Sequence, residues 1–170
     1  VGLSKTKLWL YAATNMRTAY PARIINSVYF DNPGYSSVRD NLAGISERKK
    51  IRLRWYQLAE NSKKIISPLL EIKFRSGRLN RKNKFKIPSL EDNLLSLEYK
   101  DLFQKIYSEM DDSMLFDDHF FPALHVSYFR EYFEDSNSVR ITFDRQISFM
   151  NPFPNTYIAQ GIPTFYPSII

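Results

Sequence analysis

The chain has 170 residues, 44% of them hydrophobic, enough for one domain with a substantial core and few for two. Lys plus Arg number 24 against 18 for Asp plus Glu, a net charge of +6 with a pI near 9.4, so polyanions head the candidate partners. There is no cysteine, which excludes disulfides and thiolate metal sites, and no run approaches the ~20 apolar residues of a membrane-spanning helix or has the layout of a signal peptide.

In chain order, residues 3–19 carry Leu8, Leu10, Tyr11 and Met16 among polar positions with Ala12 and Ala13, which predicts a short helix ended by Pro21. Residues 23–30 (RIINSVYF) are β-branched and aromatic, a strand closed by the turn chemistry of Asp31-Asn32-Pro33-Gly34. A helical turn and loop are predicted over 35–45, then a strand over 47–57 (ERKKIRLRWYQ). Residues 69–75 (LLEIKFR) and 82–87 (KNKFKI) flank Ser76-Gly77-Arg78-Leu79-Asn80, a hairpin with a loop of several residues. Ser89 is a candidate N-cap, and Leu90, Leu94, Leu95, Leu97, Phe103 and Ile106 form a helical stripe that predicts one substantial helix to about Met110. An acidic loop is predicted over 111–118. Residues 123–133 (ALHVSYFREYF) and 139–149 (VRITFDRQISF) are two more strands joined through 134–138, and Pro152, Pro154, Pro163 and Pro167 predict a tail irregular as far as Ile170. With 15% aromatics and only 5 Gly, the reading is a β-dominated α+β fold.

Strand side chains alternate between faces, so each strand divides into two sets. On 47–57 one set is Ile51, Leu53 and Trp55 and the other Lys50, Arg52, Arg54 and Tyr56. On 69–75 Leu70, Ile72 and Phe74 stand against Glu71, Lys73 and Arg75; on 82–87 Asn83, Phe85 and Ile87 stand against Lys82, Lys84 and Lys86. The last hairpin sets His125, Ser127 and Phe129 against Tyr128, Arg130 and Tyr132, then Val139, Ile141 and Phe143 against Arg140, Thr142 and Asp144. A sheet with one face in the core and one in water alternates as well, and for a single strand that is the commoner explanation. Sign separates the two, because a solvated face mixes charges, whereas directly opposed cations destabilise a strand pair. Here mid-strand positions repeat Arg and Lys. If they line one concave surface, such as a barrel interior, a polyanion would relieve the repulsion, with Arg gripping phosphate oxygens bidentately and Lys acting as a point charge.

The blocks Ser27 to Asp31 (SVYFD), Arg48 with Ile51 to Tyr56 (IRLRWY), Leu70 to Lys73 (LEIK), Tyr128 to Arg130 (YFR) and Val139 to Asp144 (VRITFD) resemble, in order and over most of the chain, the VTC (vacuolar transporter chaperone) domain. That family is related to the triphosphate tunnel metalloenzymes of the CYTH superfamily, so the resemblance implies an antiparallel β-barrel or tunnel with a basic lumen and a few flanking helices, a single VTC-like domain over residues 1–170. It implies that Arg52, Arg54 and Lys73, with Arg130 and Arg140 on the opposite wall, contact substrate phosphates, and that Tyr128 positions the chain. Lys50, Arg75 and one lysine of Lys82, Lys84 and Lys86, with Lys84 preferred, extend the binding set. Related proteins begin with a strand bearing a Glu-x-Lys pattern, absent before Ile24, and continue past a segment like Phe165 to Ile170 into a strand with a metal-binding glutamate. The chain is therefore expected to be a fragment incomplete at both ends, with the main metal glutamate beyond Ile170. Glu71 is the best remaining carboxylate for a divalent ion, Mn2+ or Mg2+, with a salt bridge to a lumen arginine as the competing reading. Asp144 shares a face with Arg140 and could orient it. His119 and His125 make a poor metal pair, and His125 reads as packed or surface.

The activity implied is that of a polyphosphate polymerase, in which the end of a polyphosphate chain attacks the γ-phosphoryl of ATP. Such chemistry rests on positioning and charge neutralisation, and so agrees with the absence of a Ser-His-Asp pattern or Gly-rich phosphate loop. A tunnel triphosphatase or nucleotide cyclase is the nearest alternative, and a non-catalytic polyphosphate or inositol-phosphate binding module the next. A single-strand RNA binder ranks last, because the Phe residues fall on the apolar face and only Tyr56, Tyr128 and Tyr132 stand beside the arginines, so no nucleic-acid polymer is expected as partner. No membrane segment is read in these residues, and a cytoplasmic location is expected.

Overall fold

The structure is a computed structural model that describes residues 2–58, 64–110 and 120–166. The predicted acidic loop over 111–118 and His119 lie outside these residues. So do Pro167 and Ile170, and with them the end of the chain past which the metal-binding glutamate is expected.

Seven strands form one antiparallel sheet: β1 (Arg17–Asp31), β2 (Arg48–Gln57), β3 (Ile66–Ser76), β4 (Leu79–Lys86), β5 (Phe121–Glu134), β6 (Arg140–Met150) and β7 (Thr164–Phe165). They lie in the order β4-β3-β2-β1-β5-β6-β7, so the first hairpin and the last flank β1. Among the described residues three α-helices, α1 (Leu3–Thr14), α2 (Ser36–Leu42) and α3 (Tyr99–Tyr107), complete a β-dominated α+β fold of the tunnel type. Among the described residues the sheet is open, with β4 and β7 at its edges, so they do not close the barrel.

One face of the sheet holds the main core. Val28 and Phe30 of β1, Ile51, Leu53 and Trp55 of β2, and Leu70 and Ile72 of β3 are all nearly inaccessible, and Leu90, Leu94, Tyr99, Leu102 and Ile106 cover them. Large apolar side chains at period two on the strands, met by a layer of leucines, bury the area that drives folding. A smaller cluster sets Leu10 of α1 and Met16 on Phe133, with Ile141 and Phe143 at its margin.

Four expectations are corrected. The N-terminal helix stops at Thr14, where Asn15 takes a left-handed conformation, and the following strand already begins at Arg17 and runs through Pro21. Proline is tolerated there because β1 bulges against β5: Tyr20 faces Tyr132 and Arg23 faces Arg130, one residue more on β1 than on its partner. The hairpin between β3 and β4 turns on Gly77 and Arg78 alone; Gly77 has φ +59°, a conformation glycine adopts without strain, and Leu79 and Asn80 already belong to the ladder. The helix predicted from Ser89 is broken into 3-10 turns at Pro88–Leu90 and Leu94–Ser96 before α3 starts. Ser89 caps nothing, and the backbone around residue 99 is drawn into pairing with the tail: Tyr99 N–H donates to Thr156 O, and Ile158 N–H to Leu97 O. As far as Tyr166 the tail is correspondingly less irregular than predicted, with a 3-10 turn at Ile158–Gln160 and the short edge strand β7.

Candidate functional site

The face opposite the core carries the cations. Register puts Lys50, Arg52, Arg54 and Tyr56 of β2 beside Tyr29, Ser27 and Ile25 of β1 on one side and beside Glu71 and Lys73 of β3 on the other. Lys82 and Lys84 of β4 continue the row past Lys73 and Glu71. Across β1, Tyr128 and Arg130 of β5 stand opposite Ile25 and Arg23, and Asp144 of β6 stands opposite Arg130. Asp144 reaches this face only because β6 bulges at Gln146, a residue with φ 54°. Between the pairs Ser127↔Ser148 and Phe129↔Arg145, β6 carries one residue more than β5, and its alternation inverts.

Like charges oppose one another directly at Arg48↔Arg75, Lys50↔Lys73, Lys73↔Lys82 and Arg23↔Arg130. Each such pair is destabilising by itself. Two carboxylates relieve part of the crowding. Glu71, 5% exposed, accepts from Arg52 Nε at Oε2 and from Lys82 Nζ at Oε1. Burial works against its charge, but the hydrogen bonds from Lys82 and Arg52 overcome it and hold the carboxyl below the usual carboxylate range. Burial likewise opposes the Arg52 charge, and its bonds to Tyr29 Oη, at 3.3 Å, and to Glu71 more than offset that. Asp144 grips Arg130 with two bonds, Nε to Oδ1 at 2.6 Å and Nη2 to Oδ2, and this fork raises the guanidinium pKa. Among the described residues Arg23, Lys50, Arg54, Lys73 and Lys84 have no carboxylate partner. Lys50, Arg52, Lys73 and Lys82 surround a cavity of about 270 Å³ that Tyr29 and Glu71 complete, and Arg48 and Arg75 flank a second of about 250 Å³ with Lys50 and Lys73.

The sequence-predicted residues therefore fall into three groups. Arg52, Arg54, Lys73 and Lys50 converge on one stretch of the face, with Arg130 and Tyr128 across β1; the Tyr128 ring lies 5.0 Å from the Arg130 guanidinium, and burial keeps its hydroxyl protonated. Arg75 and Lys84 share the face and, like Lys73, are exposed, Arg75 turning back to Gly77 O; Lys82, rather than Lys84, reaches Glu71. Arg140 stands apart, on the same face but 65% exposed in its side chain and held by Glu134 at 3.2 Å, so Asp144 orients Arg130 and not Arg140. His125 is 3% exposed on the core face.

Sequence reasoning missed three residues of this face, Tyr29, Arg23 and Tyr20. Tyr29, inside the SVYFD block, holds Arg52 through its hydroxyl; alternation from Ser27 would have found it. Arg23 opens the strand predicted over 23–30 and lies two residues before Ile25 on the same face; dividing that strand into its two faces, as for the other strands, would have found it. A divalent cation finds few ligands here. Both Glu71 oxygens are bonded to cations, and no three of His, Asp and Glu gather among the described residues, so the residues present do not build a metal centre.

Among the described residues no helix is long and apolar enough to cross a membrane. A search of curated proteins finds no match to the chain. The family model of the VTC domain, by contrast, matches residues 5–166, nearly the whole length, and the matched span holds every strand that builds the basic face. The chain belongs to the VTC domain family, which ties it to polyphosphate.

Proposed function

We propose that the basic face is the phosphate-chain track of a polyphosphate polymerase-type domain with ATP as donor. The observation that carries this reading is the set of directly opposed cations on one face of an otherwise well-packed sheet. A solvated surface has no reason to keep Lys50 against Lys73 and Lys73 against Lys82, whereas a chain of phosphates crossing them converts repulsion into binding. In this reading Arg54, Lys50 and Lys73, which have no carboxylate partner, contact phosphate oxygens first. Arg52 and Arg130, fixed by Glu71 and Asp144, supply oriented N–H donors. An oxygen of the terminal phosphate of a bound chain attacks Pγ of ATP, the bond from Pγ to the bridging oxygen of ADP breaks, and ADP leaves with that electron pair. The guanidinium and ammonium groups stabilise the charge spread over the transferring phosphoryl. An ATP donor implies a cytoplasmic location.

A divalent ion at Glu71 would have to displace Lys82 or Arg52. That commitment favours, as a second reading, a module that binds polyphosphate or inositol phosphates without turning them over. Product analysis on the complete protein separates the two: ATP-dependent growth of long polyphosphate for the polymerase, binding without product for the module, free phosphate or cyclic nucleotide for the related tunnel chemistries. The test of the shared claim is Arg54→Ala. Binding of long-chain polyphosphate is expected to weaken by about tenfold or more, as for loss of a charge-assisted bidentate contact. Unchanged binding and unchanged synthesis would remove Arg54, and with it the track, from the proposal.

A further inference from the structure

The basic face changes character along its strands. At one end cations predominate, Arg48, Lys50, Lys73, Arg75 and Lys82, with Glu71 and Tyr29 among them. At the other, tyrosines surround one arginine. The Arg23 guanidinium lies 4.6 Å from the ring centroid of Tyr56 and 5.0 Å from that of Tyr132, and its Nε–H donates to Tyr132 Oη at 3.1 Å. Tyr20, directly opposite Tyr132 in the ladder, stands edge-on to that ring at 5.9 Å and is 46% exposed. Three strands, β1, β2 and β5, thus bring a cation and three rings together, and the bulge at Pro21 brings Tyr20 and Arg23 to the same side.

This cluster is not required by the core, which lies on the other face, and it does not neutralise Arg23, which has no carboxylate partner among the described residues. Its chemistry is that of a stacking platform: π faces and a guanidinium plane take any flat, electron-rich ring, and attract it more strongly when anionic groups on the same ligand reach nearby cations. The spacing fits such a ligand. Arg23 and Ser27, beside which Arg54 stands, are four residues apart on β1, about 13 Å at the strand rise, a distance that a ribose and an extended triphosphate cover.

We infer that Tyr20, Arg23, Tyr56 and Tyr132 form a base-stacking subsite for a nucleoside triphosphate, which lies with its base at this end and its phosphates running over Arg130 and Arg54 toward Lys50 and Lys73. The inference rests on the phosphate-track reading above and adds where the base of the donor lies and the direction in which its phosphates run. Stacking reads a ring and little of its edge, so adenine and guanine nucleotides bind within a few-fold of each other.

The test compares two ligands on the complete protein, a non-hydrolysable nucleoside triphosphate analogue and inorganic tripolyphosphate, by calorimetry. In Tyr20→Ala and Tyr56→Leu the analogue is expected to bind about five- to a hundredfold more weakly, the range for loss of one aromatic stack, while tripolyphosphate affinity stays within twofold of wild type. Tyr20→Phe, which keeps the ring, should restore analogue binding and guards against a variant that fails to fold. Equal losses for both ligands would show that the cluster only supports phosphate binding and would overturn the subsite, as would unchanged affinity for both. If the wild-type protein does not bind tripolyphosphate at all, the phosphate track itself is refuted, and the subsite falls with it.

Discussion

Arg54 and Trp55 are neighbours in the chain and belong to different problems. Trp55 is 1% exposed among aliphatic side chains, where its contribution to stability is area removed from water and contacts at close-packed density. Arg54 points to the other face, touches Ser27 Oγ at 3.3 Å, and meets no carboxylate among the described residues. The core face has been made apolar and the basic face has been left electrostatically unsatisfied. A sheet holds both conditions at a spacing of one residue because its pleat sends neighbours to opposite sides, so substitutions on the two faces should separate stability from binding.

The largest effect expected is on the core face. Trp55→Ala should lower the unfolding free energy by about 3–5 kcal/mol, the range for deleting a large buried side chain, and chemical denaturation checks it. A loss below about 1 kcal/mol would mean that this face is not the core.

Next in size is a pH effect on the same face. Burial pushes the His125 imidazole down to about 3 and raises the Tyr99 phenol, so both are neutral where Tyr99 Oη and His125 Nδ1 share a hydrogen bond at 2.6 Å. The other ring nitrogen, Nε2, is buried without a partner among the described residues, so a second proton on the ring would find no acceptor there. Protons bind the unfolded chain first, so this stability is complete above about pH 6.5 and declines toward pH 3, by about 1.4 kcal/mol per unit. Between pH 7 and pH 5 the wild-type protein should lose about 2 kcal/mol that His125→Phe does not lose. Equal losses in the two proteins would place the acid sensitivity elsewhere.

Glu71→Gln brings the comparison to the basic face. It leaves Arg52 and Lys82 without their shared carboxylate, keeping one amide oxygen and turning the other position into a donor, and removing one charge of a largely buried pair is costly; because the cations are partly exposed, a loss of about 1–3 kcal/mol at pH 7 is expected. Polyphosphate binding should strengthen, since two more cations are uncompensated. The Glu71 carboxyl titrates below its ordinary value, so its stabilising contribution is complete above about pH 4.3 and is lost as pH falls through the lower, folded-state value; the variant lacks that acid-side loss. A stabilised variant that binds polyphosphate more weakly would instead give Glu71 a role in contacting substrate.

Both faces were legible in the sequence because alternation at period two is a local signal, and Ile51, Leu53 and Trp55 against Arg52 and Arg54 display it without interruption. What escaped was non-local. The bulge at Gln146 inverts β6, so the parity that serves Asp144 does not serve Ser148, and nothing in RQISF announces the change. The leucines of 90–97 repeat like a helix because 3-10 turns also return side chains to one side; the tail residues that pair with 97–100 and break the helix lie more than fifty positions away. Tyr20 was hidden by the Pro21 beside it, since a proline reads as the end of an element and here marks a bulge within one.

The smallest effect separates two arginines that the family resemblance treats alike. Arg130 is half-buried, doubly bonded to Asp144 and stacked near Tyr128, whereas Arg140 projects its side chain 65% exposed at the far end of the same face and shares one bond with Glu134. An exposed single-bond pair contributes ~0–1 kcal/mol, so Arg140→Ala should leave stability within about 0.5 kcal/mol of wild type. Its effect on polyphosphate should be electrostatic and general, a loss of about threefold or less that disappears as salt rises, because a solvated cation attracts a polyanion without fixing it. Titration of polyphosphate at low and high ionic strength checks this. A loss as deep as that of Arg54→Ala, persisting in high salt, would mean that in the bound state Arg140 leaves Glu134 and closes on the phosphate chain, which would extend the track to the end of β6.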